Sequence, residues 1–158
     1  MFDSLRDLVR NYVLSAAIFS WFFAQVLKVI FTFMLTKKLR VERLFGAGGM
    51  PSAHSAMVCS LAIAVSRVCG VNSPEFALAF VFACVVMYDA MGIRRQAGKH
   101  AQAINKLMDI VEDENEEDEL GGEENDKELK ELIGHTPLQV LSGALLGILV
   151  ALILPFVF

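Results

Sequence analysis

The chain has 158 residues, which suits one domain, and 55% of them are hydrophobic, with a mean hydropathy of +0.52. That composition excludes an ordinary soluble domain of this size and predicts residence in a membrane. The net charge of −4 is uneven, because residues 112–128 hold eleven of the eighteen acids and one of the fourteen bases. We therefore expect a single membrane-embedded domain over residues 1–158, with a basic body and an acidic loop at 112–128.

The first apolar run, residues 12–35, is long enough to cross a hydrocarbon core of about 30 Å as a helix. It is also too long for the core of a cleavable signal peptide. Gln25 and Lys28 interrupt it and share a helix face. Lys28 either faces a cavity, a partner or the bundle interior, or it snorkels toward the helix end. A basic cluster that marks the cytoplasmic flank follows: Lys37, Lys38, Arg40 and Arg43.

The next stretch, GGMPSAHSA at residues 48–56, predicts a turn and then a helix start. Glycine permits the turn, Pro51 keeps the preceding residue out of the α region, and Ser52 is the expected N-cap. His54 then lies beside the free amide hydrogens of a helix N-terminus, which attract phosphate. The alternative is a capped helix start with an incidental histidine.

Residues 53–69 and 76–91 form two further apolar helices, joined by a turn over residues 70–74. Both are shorter than the roughly 20 residues of a full span, so they are tilted spans or a re-entrant hairpin. Either arrangement returns the chain to the side from which it came. Asp89 lies near the end of the helix over residues 76–91, and Arg94 and Arg95 follow it as cytoplasmic markers.

From Ile93 to Val111, apolar residues recur at helical spacing opposite a polar face. This pattern predicts an amphipathic helix along the membrane surface, with His100 as an interfacial residue. The acidic residues 112–128 predict a mobile, solvated loop. Metal binding by this loop is the alternative, although its spacing does not match an EF-hand.

The last apolar run, residues 138–158, predicts a fourth membrane helix. Gly143 and Gly147 are four apart in it, a spacing that favours close packing either within the chain or in a homodimer. His135 precedes this helix, flanked by Gly134 and Pro137, as His54 follows glycine and proline at the earlier helix start. The three cysteines, Cys59, Cys69 and Cys84, lie in apolar runs without metal-site spacing and predict buried free thiols.

The predicted fold is all-α: a polytopic membrane helical bundle with about four membrane helices and one interfacial amphipathic helix. This topology brings five candidate site residues to one membrane face: His54, Asp89, Arg94, Arg95 and His135. Arginine binds phosphoryl oxygens in bidentate fashion, and two imidazoles can serve as nucleophile and proton donor. Alternatively, the arginines are topology determinants that contact anionic headgroups, and Asp89 forms an ion pair with one of them.

Three motifs, GGMPSAHSA, DAMGIRRQAGKHAQAIN and LIGHTPLQVLSGALLG, resemble in this order the divergent branch of the type 2 phosphatidic acid phosphatase superfamily. This branch is related to the vanadium-dependent haloperoxidases. The resemblance runs from about residue 24 to the C-terminus, apart from the acidic loop. It implies metal-independent hydrolysis of phosphate monoesters, largely of lipids. It further implies that His135 is the nucleophile that forms a phosphohistidine, that His54 protonates the leaving alcohol, and that Ser52 with neighbouring amides holds phosphoryl oxygens.

The chain departs from the superfamily pattern at three points. The first motif, a lysine followed by arginine-proline, has no match, so Lys28 or the basic cluster could only substitute in function. The arginine expected six residues before the nucleophile falls on Leu129, which leaves Arg94 and Arg95 as replacements. The acidic residue that orients the nucleophile falls on Gln139, which can accept a hydrogen bond from an imidazole but cannot stabilise an imidazolium by charge. Asp89 could supply that charge from another helix.

The leading prediction is an integral, multi-pass membrane protein that hydrolyses a lipid-linked phosphate at the cytoplasmic face. Phosphatidic acid, phosphatidylglycerophosphate and a polyprenyl diphosphate are candidate substrates. A homodimer is plausible, and we expect no cofactor, metal or nucleic acid to take part. The alternatives are a non-catalytic lipid-phosphate-binding module, which Gln139 favours, and transport of a phosphorylated lipid, which Lys28 alone supports. Haloperoxidase chemistry with vanadate is disfavoured by the small size and the altered triad.

Overall fold

The computed structural model describes residues 10–37, 49–115, 129 and 134–155. Within these ranges no strand occurs, so the predicted all-α class is confirmed. Three residues of the basic cluster, Lys38, Arg40 and Arg43, lie outside the described residues, as does most of the acidic loop. The helices are α1 (Tyr12–Thr36), α2 (Ala53–Cys69), α3 (Pro74–Met91), α4 (Ile93–Asn115) and α5 (Pro137–Ile153).

Polar caps start these helices where the sequence predicts a turn. The predicted cap Ser52 accepts a hydrogen bond from the amide of Ser55 at 3.3 Å, and Ser73 caps α3 in the same way. Thr136 caps α5, and Gln139 completes a reciprocal capping box with it. Each cap satisfies an amide that the first turn leaves without an intrahelical partner.

Three predicted boundaries were wrong. The third helix begins at Pro74 rather than at residue 76, because proline fits the first turn and Ser73 caps it. The last helix ends at Ile153 rather than at residue 158, since Leu154 is extended before a proline. Residues 112–115, predicted as loop, continue α4 to Asn115.

Small side chains fill the interior of the bundle. Helix α2 is central, and α1, α3 and α5 pack against it. The largest fully buried side chains are the serines Ser20, Ser52, Ser55 and Ser60. Large apolar side chains point outward instead, among them Phe19, Phe22 and Phe23 on α1, Leu78, Phe80 and Phe82 on α3, and Leu141, Leu145 and Leu149 on α5. This distribution is the reverse of a soluble core and suits close helix packing within lipid.

Two stretches are long and apolar enough to cross a membrane, Tyr12–Met34 and Pro74–Met108, while α2 and α5 are shorter apolar helices. The second stretch combines α3 with the first part of α4, and the backbone bends between them at Gly92. These two stretches, together with the outward-facing apolar side chains, indicate a membrane protein.

Hydrogen bonds from buried serines hold α1 against α2. The Ser20 hydroxyl donates to the carbonyl of Ala56 at 3.0 Å, and the Ser60 hydroxyl donates to that of Ala16 at 2.9 Å. At the far end of the bundle, the Tyr12 hydroxyl donates to the Ala151 carbonyl at 2.6 Å. These bonds fix α1 along its length, and so fix the depth of Lys28.

The cysteines are free thiols, as predicted, but only Cys59 is buried. Cys84 lies on α3, whose large side chains face outward, and Cys69 lies at the exposed end of α2. The prediction of burial was wrong for these two residues, because an apolar run in a membrane protein is exposed to lipid on its outer face.

Candidate functional site

The segments that precede α2 and α5 meet at one end of the bundle. The Ser52 amide donates to the carbonyl of Gln139 at 3.0 Å. A Cβ added at Gly143 would clash with the Ser52 carbonyl oxygen, and one added at Gly147 would lie 2.8 Å from the Ala56 carbonyl carbon. The Gly-x-x-x-Gly spacing therefore serves contact within the chain, and it sets the two helix starts side by side.

The turn before α5 is held against the end of α3 and the start of α4. The His135 amide donates to the Ala90 carbonyl at 3.0 Å. Gly134 has a φ of +97°, and a Cβ there would lie 2.6 Å from the Cα of Arg95. Only glycine fits this close approach without strain. The backbone thus places His135 directly beside the Arg94–Arg95 pair.

His135 is 5% exposed, and its ring nitrogen Nδ1 lies 3.2 Å from Oε1 of Gln139. The same oxygen accepts the Thr136 amide at 3.0 Å. A backbone N–H can only donate, so the Gln139 atom at this point is the carbonyl oxygen. Nδ1 of His135 must then carry the proton in this hydrogen bond. The neutral imidazole keeps its lone pair on Nε2, which is the tautomer that a nucleophilic histidine requires.

Burial lowers the pKa of His135, while the hydrogen bond to Gln139 acts in the opposite direction. The positive charge of Lys28 lowers this pKa further, and so do those of His54 and Arg94. Both kinds of lowering disfavour the imidazolium form. At neutral pH, His135 is therefore uncharged and its Nε2 is available.

Lys28 is buried, with 3% of its surface exposed, although it lies within an apolar helix. A Cβ added at Gly49 would lie 3.2 Å from its Cγ, so the lysine stem packs against the loop that leads into α2. The bundle-interior alternative is therefore correct for Lys28, and snorkelling to the helix end is not. Its charge is held at the level where α2 begins.

Asp89 pairs with Arg94, whose Nε donates to the carboxylate at 2.5 Å. The predicted ion pair is thus formed with the first of the two arginines. Both partners are at least partly accessible, so the pair orients the guanidinium more than it stabilises the fold. Arg95 is exposed on α4, and so is His100 on the same helix.

His54 is the second residue of α2, and its side chain is exposed. Ser52 differs, because it is fully buried and its hydroxyl oxygen accepts bonds from both the amide and the hydroxyl of Ser55. Its oxygen is thus occupied as the helix cap. Among the described residues, no group of three or more His, Cys, Asp or Glu is arranged to hold a metal ion.

Two contacts of the site do not follow from the sequence. Gly134 stands out there as a neighbour of His135, but its close approach to the backbone of Arg95 is seen only in the structure. Asn105 on α4 is buried, and its side chain pairs with both backbone groups of Leu129, at 3.0 and 3.1 Å. Leu129, where the superfamily has an arginine, is therefore anchored through its backbone. No local pattern signals this contact.

Comparisons with known proteins agree with the resemblance in the three motifs. The model of the divergent PAP2 family matches residues 9–150. The chain is 39% identical, over 156 aligned residues, to the uncharacterized membrane protein YuiD of Bacillus subtilis strain 168. This alignment covers 96% of the chain and 99% of that protein. No solved structure matches. The matched range includes His54, His135 and every helix except the last three residues of α5.

Proposed function

The chain belongs to the divergent PAP2 family, and we propose that it is a membrane-embedded phosphohydrolase that acts on a lipid-linked phosphate ester. The observation that carries this proposal is the buried His135, whose Nδ1 is paired with Gln139 beside Lys28 and His54. A neutral imidazole with a defined tautomer, surrounded by positive charge, suits attack on an anionic phosphoryl group.

In the proposed reaction, Nε2 of His135 attacks phosphorus and the bond from phosphorus to the ester oxygen breaks. His54 gives its proton to the departing alcohol, leaving a phosphohistidine. Water then attacks the phosphohistidine while His54 takes a proton from it, and inorganic phosphate leaves. Both histidines end the cycle in their starting forms.

Lys28 and Arg94 are proposed to hold the phosphoryl oxygens, with Arg95 as a further cation at the rim. Arg94 can do so in a defined orientation because Asp89 holds its Nε. The first amides of α2 add donors that point out of a helix N-terminus. The Ser52 hydroxyl contributes by capping that helix, which fixes where these amides lie.

We propose that α1, α2, α3 and α5 all lie across the membrane, with the site at the cytoplasmic face and α4 along the surface. Large apolar side chains on α1, α3 and α5 point outward, which supports this arrangement. Lys37, Arg94 and Lys99 lie at the end of the bundle that holds the site, as the positive-inside rule requires of cytoplasmic segments. On α4, Ile104 and Leu107 are exposed while Ala101 is buried, which leaves an apolar face for the interface.

A second candidate is a module that binds lipid phosphate without turnover. Gln139 favours it, since a neutral amide cannot stabilise by charge the positive imidazole ring that forms when Nε2 of His135 bonds to phosphorus. The two candidates share the same phosphate ligands and differ only in whether a bond to phosphorus is broken.

Phosphate release from a panel of lipid phosphates in nanodiscs separates the two candidates. We expect release by the wild-type protein, inhibition by vanadate, and loss of release in both His135→Ala and His54→Ala. The matched control is His100→Ala, the third histidine, which should release phosphate at the wild-type rate. Wild-type release no greater than that of His135→Ala, with lipid-phosphate binding intact, would reject the hydrolase in favour of the binding module.

A further inference from the structure

An apolar groove of about 320 Å³ lies between α1 and α5, open to the surroundings. Apart from Ser142, its lining is apolar, and the loop before α2 completes it. The lining includes Leu27 and Phe31 on α1, Pro51 in the loop, and Leu145, Leu146 and Leu149 on α5.

The groove and the candidate site share two segments of the chain. Pro51 lines the groove and immediately precedes Ser52, whose amide bonds to the Gln139 carbonyl. Leu27 lines the groove and immediately precedes Lys28, whose charge lowers the pKa of His135. The groove therefore begins beside the positively charged end of the bundle.

From there the groove descends toward the middle of the bundle. Helix α5 begins at the site, and its lining residues run from Ser142 to Leu149, a rise of about 10 Å at 1.5 Å per residue. On α1 the lining residues are Leu27 and Phe31, which both lie within one helical turn of Lys28, so the part of the groove farther from the cations is lined by α5. A ligand that follows the groove thus has one end among cations and the other among leucines.

We propose that this groove binds one hydrocarbon chain of a lipid phosphate whose phosphate group lies among Lys28, His54 and His135. The proposal rests on the function proposed above and names the part of the substrate that the protein recognises besides phosphate. Charge complementarity fixes the headgroup end, and apolar lining fixes the chain end. The volume is at the lower limit of ligand pockets, which span roughly 300–1,000 Å³, and so suits one chain and not a whole two-chain lipid.

Photo-crosslinking in nanodiscs tests the groove without relying on turnover. The probe is a non-hydrolysable single-chain lipid phosphonate with a diazirine in mid-chain, and the comparison probe has the same chain and a neutral alcohol headgroup. We expect the phosphonate to label the segment from Leu145 to Leu149 about tenfold more than the neutral probe, which corresponds to a tenfold higher affinity.

Two tryptophan variants test whether the groove is the labelled site. Leu149→Trp should reduce this labelling about tenfold by filling the groove. The control Leu152→Trp, which changes an exposed leucine outside the groove, should leave it unchanged.

Equal labelling by both probes would overturn the proposal, because the groove would then hold ordinary boundary lipid. A disulfide between two chains that carry Leu149→Cys on a background without native cysteines would also overturn it, in favour of a second copy as occupant. Phosphate release is scored separately. If the groove is labelled but no phosphate is released, the hydrolase proposal is rejected and the chain-binding groove stands. If phosphate is released but labelling occurs elsewhere, the hydrolase stands and the chain-binding groove is rejected.

Discussion

At the residue scale, the arrangement around Gln139 determines how the site works. Its Oε1 serves two donors, Nδ1 of His135 and the amide of Thr136, at 3.2 and 3.0 Å. One side chain therefore caps α5 and fixes the tautomer of the candidate nucleophile. A glutamate could do both with an added negative charge, since glutamate and glutamine are interchangeable in a capping box.

We accordingly expect Gln139→Glu to raise the rate of phosphate release by about tenfold or more, because a carboxylate stabilises the imidazolium that glutamine cannot. Phosphate release under substrate saturation measures it. Thr136→Ala is the control, as it weakens the cap by about 1 kcal/mol while leaving the His135 acceptor in place. A rate in Gln139→Glu equal to or below that of the wild type would contradict the role given to Gln139.

The lowered pKa of His135 makes a prediction about stability and pH. Burial keeps the folded-state pKa below the ordinary value of 6.5, so on acidification the unfolded chain takes up the proton first. The stability contributed by neutral His135 is therefore complete above pH 6.5 and falls as the pH is lowered through the folded-state pKa. Unfolding of the wild type and of His135→Asn, measured from pH 7.5 to pH 5, should show a smaller loss in the variant. The opposite sign would mean that His135 is protonated in the folded protein.

At the scale of the helices, the contact between α5 and α2 decides whether the site forms. A Cβ at Gly147 would clash with the Ala56 carbonyl oxygen, which already accepts the Ser20 hydroxyl. We expect Gly147→Ala to lower the free energy of unfolding by about 1–3 kcal/mol, the usual cost of overpacking. Leu152→Ala, on the exposed face of the same helix, should change it by less than about 0.5 kcal/mol. Reversible unfolding in detergent measures the free energy of unfolding of both variants. Equal losses in the two would contradict the role of Gly147 in the contact between α5 and α2.

Much of this architecture is predictable from sequence because it rests on local chemistry. Ser52 as cap and Ala53–Cys69 as helix follow from the proline-serine turn and the apolar run. Gly143 and Gly147 predict close packing, but only the tertiary structure reveals that the partner is α2 of the same chain. The ends of apolar runs are less predictable. The final run continues past residue 153 in sequence, yet the helix stops there on account of Pro155.

The candidate site was predictable to the extent that topology dictates it. Counting helices places His54, Asp89 and Arg94 at one end of the bundle, and the ion pair of Asp89 with Arg94 follows from the need of a carboxylate for a partner. The sharing of one Gln139 oxygen by two donors does not follow, because it depends on the angle at which the turn enters α5. The anchoring of Leu129 by Asn105 likewise joins residues 24 apart with no periodic signal.

At the scale of the whole molecule, the two ends of the bundle differ in character. One end holds His135, Arg94 and Lys28. At the other, Arg67 donates to the Tyr12 hydroxyl and to the Ala151 carbonyl, and its guanidinium lies 5.2 Å from the centre of the Tyr12 ring. Arg67 is thus held by the helix ends around it, and it ties α1, α2 and α5 together at the end opposite the site.

This polarity makes a direct prediction about sidedness, with a native residue as reporter. Cys69 is exposed at the far end of α2, whereas Cys84 lies on the outward face of α3 and Cys59 is buried. With Cys59→Ala and Cys84→Ala as background, we expect a membrane-impermeant maleimide to label Cys69 in right-side-out vesicles. Lys99→Cys on a background without native cysteines should react only after the vesicles are opened, since α4 follows the site end of α3. Labelling of both positions from the same side would mean that α2 and α3 form a re-entrant hairpin, whereas opposite sides require both helices to cross. In the second case, the candidate site and the positive charges around it face the cytoplasm together.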